Sequence, residues 1–286
     1  MTKNKATLLG SLAIFLWSVD NIITINLARI PIFQMLSISW LLAFVVYAIS
    51  LTIRNEWEKV KQKPLIWVLG TLGICGAHCL MVASLRYAPP AQACTLAATW
   101  PILVVVLGGW ILNKEKISWL KILGVLVGFI GVAMVLTQGR LYAGFEWQYG
   151  NGYLFALLSS VFWTLYVLMT RKFVTITSQM MGMYLGVGGV FALTYHLGVE
   201  QFIMPIPKEW LLLSIKGMFT LSTSYFLWDF SIKRGHFALL NTLAYFSPIC
   251  TIILLSLLGL GVILVPIWIG VILVIAGAIL CDNGKK

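Results

Sequence analysis

The 286-residue chain is 60% hydrophobic and only 10% charged, which leaves too few polar side chains to cover a soluble globule of that size. Its formal net charge of +11 would suit a nucleic acid only if the cations shared one face, whereas they sit in alternate loops between apolar stretches. The five cysteines, Cys75, Cys79, Cys94, Cys250 and Cys281, all fall inside apolar segments, where a thiol acts as a small hydrophobe and implies no disulfide framework.

Apolar stretches of roughly 20 residues follow one another from Thr7 to Cys281, each about long enough as a helix to cross a ~30 Å hydrocarbon core. The pattern predicts an all-α membrane protein with ten transmembrane helices, at 6–28, 31–53, 64–86, 90–112, 118–138, 151–172, 178–199, 209–232, 236–258 and 263–281. The first stretch has no small-residue cleavage motif and is long for a signal peptide, so it reads as a helix. The polar breaks from Arg54 to Lys63, Asn113 to Lys116, Gly139 to Gly150 and Glu200 to Lys208 read as loops, too short for a soluble domain. The uncharged stretch from Gly259 to Val265 reads as a hairpin close to the interface.

The loops are electrically lopsided. One set, with the N- and C-termini, carries Lys3, Lys5, Arg54, Lys59, Lys61, Lys63, Lys114, Lys116, Arg171, Lys172, Lys233, Arg234, Lys285 and Lys286. The other carries chiefly Arg29, Arg86, Arg140 and Lys208. By the positive-inside rule both termini are expected in the cytoplasm of a bacterial cell, with the chain spanning the inner membrane several times.

An internal repeat overlies this pattern. Ala91, Thr95 and Pro101 recur as Ala238, Thr242 and Pro248 at an offset of 147 residues, and Trp17, Gly124 and Gly131 recur as Trp163, Gly270 and Gly277 at an offset of 146. Two five-helix units are expected, at 1–139 and 140–286. Because five is odd, the second enters the membrane from the opposite side, an inverted repeat of the kind that places a transporter's site near the midplane between its halves.

The first-helix Trp17-Ser18, the Trp100-Pro101 step, Asn113-Lys114-Glu115-Lys116 leading to Trp119 and the glycine-rich fifth helix resemble the EamA type of the drug/metabolite transporter superfamily. Trp163 with Tyr166, Tyr225 with Trp228, and Tyr245-Phe246-Ser247-Pro248 are similar to the YddG-type aromatic amino acid exporters within it. The resemblance covers nearly the whole chain. It implies a secondary transporter that exports amino acids, aromatic ones first, by alternating access. The chain departs from those exporters at Asp20-Asn21, where they carry small or apolar residues, at His78, where an acid is expected, and at Asp229, where Asn is expected.

Ionisable groups deep in a span are expensive by roughly 3 kcal/mol or more, so they face a cavity or a partner. Asp20, with Trp17, Asn21 and Thr24 on its face, reads as the holder of a substrate ammonium, as a proton carrier or as a structural acid. His78 suits proton handling or packing against a carbonyl. Asp229 has Lys233 one turn on, which predicts an ion pair. Lys216 and Arg86 read as anchors snorkelling to the headgroups, and His196 as interfacial.

The aromatic residues Trp17, Trp100, Trp163, Tyr166, Tyr225, Trp228 and Tyr245 fall far enough from span ends to line a central cavity, whereas Trp57, Trp110 and others suit the membrane interfaces. Pro101 and Pro248 hold equivalent places and read as hinges. No metalloprotease, nucleotide-loop or hydrolase-elbow motif occurs, so an enzyme is not indicated, and no cofactor or metal is expected. The expected partners are the lipid bilayer and a small-molecule substrate, an amino acid or alternatively an organic cation, with proton coupling left open.

Overall fold

The structure, a computed structural model, describes residues 1–112, 118–137, 139, 146–259 and 265–283. Lys114, Lys116, Arg140, Lys285 and Lys286, the side chains of Arg86 and Trp110, and most of the hairpin between Gly259 and Val265 lie outside the described residues. Among the described residues every regular element is helical. The first half contains α1 (Lys3–Asn26), α2 (Ile32–Arg54), α3 (Pro64–Thr71), α4 (Ala77–Tyr87), α5 (Pro90–Ala97), α6 (Trp100–Ile111) and α7 (Trp119–Leu136). The second contains α8 (Gly150–Lys172), α9 (Met180–Val199), α10 (Pro207–Ile215), α11 (Ser222–Arg234), α12 (Phe237–Leu243), α13 (Phe246–Leu257) and α14 (Val265–Asn283).

Seven helical runs among the described residues are long and apolar enough to cross a bilayer: Lys3–Asn26, Ile32–Arg54, Pro64–Leu85, Trp119–Leu136, Trp147–Lys172, Met180–Val199 and Phe237–Leu257. Gln92–Gly108 and Trp268–Cys281 are apolar but shorter. The α10–α11 run is not among the seven, because its serines, threonines and Lys216 make it more polar than its neighbours.

The helices break in the same way in both halves. A π-helical turn joins α3 to α4 at Leu72–Gly76, and another joins α10 to α11 at Lys216–Leu221. Immediately after each turn a side chain of a neighbouring helix donates to a backbone carbonyl. Ser159 donates to the Ala77 carbonyl at 2.8 Å, and Tyr47 donates to the Ser222 carbonyl at 2.6 Å. The expected spans 90–112 and 236–258 are each split, α5 from α6 at Ala98–Thr99 and α12 from α13 at Ala244–Tyr245. Pro101 and Pro248 stand in the first turns of α6 and α13, where a missing N–H costs nothing.

Between hydrocarbon tails apolar helices gain little by hiding from water, so close packing decides which of them touch. The contact of α7 with α14 shows it. A Cβ on Gly124 would stand 2.5 Å from the Gly277 carbonyl oxygen, and one on Gly131 2.7 Å from that of Gly270. The repeat offset pairs 124 with 270 and 131 with 277, so this contact maps onto itself when the halves are exchanged.

Arg54, Lys59 and Arg234 gather at one end of the bundle, which also carries Lys3 and Lys172. At the other end Arg29 forms an ion pair with Glu209, and the Glu200 carboxylate accepts the Phe33 and Gln34 backbone N–H groups, both at 3.1 Å, at the start of α2. His196, in the last turn of α9 at this same end, is buried, 3.0 Å from that same carboxylate through Nδ1.

Candidate substrate cavity

Four tryptophans from four helices converge at the middle of the bundle. Trp17 of α1 lies 5.8 Å from Trp163 of α8 and 4.8 Å from Trp228 of α11, while Trp100 of α6 lies 6.1 Å from Trp163 and 5.9 Å from Trp228, all between ring centroids. Most of these contacts are edge-to-face, the arrangement that ring quadrupoles favour. Trp163 is the hub, since it also meets Tyr166 at 5.2 Å and Tyr225 at 6.1 Å.

Above this cluster lies a cavity of about 300 Å3. Eight of the ten residues expected from the sequence line it: Trp17, Asp20, Asn21, His78, Trp100, Trp163, Tyr225 and Tyr245. The other two do not line it. Tyr166 and Trp228 are fully buried behind the lining, displaced along α8 and α11 toward the basic end, where they support Trp163 and Trp17 from beneath. Of the two prolines Pro248 lines the cavity and Pro101 does not. The rest of the wall includes Cys94 and also Met81, Leu136 and Ser160, which the sequence did not single out. Asp20, Met81, Cys94 and Leu136 lie in the halves of the runs Lys3–Asn26, Pro64–Leu85, Gln92–Gly108 and Trp119–Leu136 remote from the basic end, so the cavity extends from the middle of the bundle toward the opposite face.

Asp20 is not a free carboxylate. Lys216 Nζ stands 2.6 Å from its Oδ2 and donates also to Thr24 Oγ1 at 2.8 Å, while Thr220 donates to Asp20 Oδ1 at 2.9 Å. Lys216 is therefore no headgroup anchor. It is 3% exposed and points into the bundle, because the π turn that begins at Lys216 brings both Lys216 and Thr220 to face α1. Depth was the missed signal: Asp20 lies six residues from the end of α1 and Lys216 nine from the start of α10, about 9 and 14 Å at ~1.5 Å per residue, so the two opposite charges lie within about one helical turn in depth, which the long lysine side chain spans.

His78 stands opposite, its Nδ1 and Nε2 lying 3.0 and 3.2 Å from the Tyr225 hydroxyl. The repeat offset of 147 makes His78 and Tyr225 equivalent residues, so their contact lies on the same internal symmetry as the glycine seam. The Tyr245 hydroxyl, buried at the cavity wall, has no hydrogen-bond partner among the described residues, nor does the Trp228 indole N–H beneath. Ser18 donates to the Ser247 carbonyl at 2.9 Å and Asn21 Nδ2 to Thr251 Oγ1 at 3.1 Å, tying α1 to α13.

The basic end is closed by polar contacts. Asp229 pairs with Lys233 at 2.5 Å, as the i,i+4 spacing predicts, and accepts from the hydroxyls of Tyr166 at 3.2 Å and Thr170 at 3.3 Å. Lys233 donates further to the Ile176 carbonyl at 2.7 Å, and Arg171 to the Lys233 carbonyl at 2.8 Å. The His236 backbone N–H donates to Thr7 Oγ1 at 2.9 Å.

These features agree with what known proteins resemble this chain. It is 29% identical over 280 residues to the aromatic amino acid exporter YddG of Ancylobacter novellus, covering 97% of each protein. It is 26% identical to the aromatic amino acid exporter YddG of Escherichia coli over 98% of both, and 26% identical to the uncharacterized transporter YyaM of Bacillus subtilis over 74% of this chain and 70% of that one. A solved crystal structure superposes on the whole of the chain with a TM-score of 0.92 at 26% identity. Residues 4–137 and 150–281 each match the EamA-like transporter family. Two copies of one family domain account for nearly the full length, and the chain therefore belongs to the EamA-like transporters.

Proposed function

We propose that the chain exports neutral, zwitterionic aromatic amino acids across the bacterial inner membrane by alternating access, through a site at the cavity above the tryptophan cluster. Ten crossings arranged as two inverted units, 1–139 and 140–286, with the basic end in the cytoplasm, are part of this reading. The observation that carries it is the combination of aromatic walls with a neutralised charge: Trp17, Trp100, Trp163 and Tyr225 offer faces and edges to a ring, and Lys216 cancels Asp20. A cationic guest would need an unbalanced carboxylate in the cavity, which Lys216 removes, so the organic-cation alternative loses its main support. A zwitterion matches a paired site, its ammonium meeting the remaining lone pairs of Asp20. The unpartnered Tyr245 hydroxyl offers a polar contact to the same guest. His78 with Tyr225 is the candidate for any proton coupling.

Counterflow tests the reading. Proteoliposomes containing only this protein and preloaded with unlabelled tryptophan are expected to accumulate labelled tryptophan and phenylalanine and to exclude tetraethylammonium. Accumulation of the cation with no amino acid uptake would overturn it. Repeating the assay with an imposed pH gradient, for the protein and for His78→Gln, tests the coupling role.

A further inference from the structure

A second cavity, of about 370 Å3, opens at the basic end of the bundle, away from the aromatic site. It lies between the end of α2, the connection from α8 to α9 and the last turns of α11. Three cations stand in its wall, Arg54, Lys59 and Arg234, against one acid, Glu56. Lys59 and Glu56 pair with each other, which leaves the two arginines as the net charge of the cavity. Neither guanidinium has a hydrogen bond or ion pair among the described residues. Arg234 rests instead on the face of Phe230, 4.1 Å from its centroid, and Phe230 stacks on Phe226 at 6.3 Å with 15° between planes.

Uncompensated guanidinium groups with hydroxyl donors beside them suit a phosphate, because the planar fork of arginine matches two phosphate oxygens at once. Thr175 and Thr177 supply those hydroxyls on the connection leading into α9. The Phe226 and Phe230 wall adds an apolar flank that a free inorganic ion would leave unused but a lipid would cover. Both arginines lie in the last turns of their helices, at the level where lipid headgroups meet water. We infer that this cavity binds the phosphate of an anionic phospholipid, with the phenyl rings against its glycerol and first acyl carbons, as basic pockets between membrane helices bind anionic headgroups. The site is separate from the export cavity and does not depend on what that cavity carries.

Native mass spectrometry and thermal melting of the purified full chain test it, with phosphatidylglycerol as the probe against phosphatidylcholine. Retention of phosphatidylglycerol is expected to fall by about tenfold or more in Arg54→Gln/Arg234→Gln, given the contribution of each basic residue near a lipid surface. The melting temperature of the protein is expected to rise with phosphatidylglycerol, and that of the double variant to stay flat. Equal melting of both proteins in neutral detergent checks that the variant folds, and Arg54→Lys/Arg234→Lys, which keeps the charge, provides a second folded variant with intermediate retention. Lys3→Gln/Lys5→Gln removes the same charge from the same end outside the cavity and is expected to keep the lipid. Loss of lipid in that control to the same degree would mean diffuse attraction and would overturn the site. Stabilisation by inorganic phosphate alone, dependent on Arg54, would overturn the lipid as its source.

Discussion

Asp20 and Lys216, 196 residues apart in sequence, form a buried ion pair of 2.6 Å between α1 and the π turn that leads into α11. The pair stands at the cavity wall and joins the first family domain to the second. It also redirects the expectation for Asp20, whose charge is balanced within the protein before any substrate arrives.

Removing one member leaves the other charge buried without a partner, at a cost of about 3–5 kcal/mol, whereas removing both is far less costly. Asp20→Asn is therefore expected to lower thermal stability in detergent more than Asp20→Asn/Lys216→Met. The double-mutant cycle gives the coupling energy directly. Additive effects would mean that the pair contributes nothing.

Trp163 touches Trp17, Trp100, Tyr166 and Tyr225, so its loss removes the hub of the aromatic cluster. Trp163→Ala is expected to cut uptake of labelled tryptophan by about tenfold or more at equal membrane abundance, the loss of an aromatic contact worth roughly 1.5 kcal/mol. Trp57→Ala is the control: that ring is 40% exposed, with its Nε1 donating to Thr52 at 3.1 Å. Equal activity in the two variants would dissociate the cluster from transport.

The glycine seam of α7 and α14 has no room for a side chain. A Cβ on Gly277 would stand 2.4 Å from the Gly124 carbonyl oxygen, so Gly277→Ala forces two backbones apart. Overpacking of this kind costs typically about 1–3 kcal/mol. A lowered melting temperature is expected, with a larger drop for Gly277→Val, whereas Gly150→Ala, where nothing lies within 4 Å, is expected to leave stability nearly unchanged.

The apolar rhythm and the recurring Trp, Gly and Pro positions were legible in the sequence because a bilayer forces every span to show its length. Eight cavity-lining residues were legible for the same reason: a polar or aromatic group far from a span end has few places to face. Lys216 was misread because its partner lies in the other half of the chain, and no local spacing signals a contact over 196 residues. Tyr166 and Trp228 were placed one layer too close to the cavity, since periodicity identifies a helix face but not how many side chains stand between it and the centre. The π turns at Leu72–Gly76 and Lys216–Leu221 leave no sequence period, and each depends on close packing against another helix: Gly73 on Tyr166, Gly217 on the Ser39 carbonyl.

Those two turns bear on the proposed alternation between facing states. A widened turn holds an extra residue that a helix can pass along its length by exchanging hydrogen bonds one for one, without melting. With one such turn in each half, tightening one while loosening the other leaves the total bond count unchanged. Under the alternating access proposed above, the hydrogen bonds of these turns then favour neither facing state over the other. A carrier without a coupled energy source runs in whichever direction its cargo gradient points, and hydrogen bonds that favour neither state serve only to keep both half-cycles open.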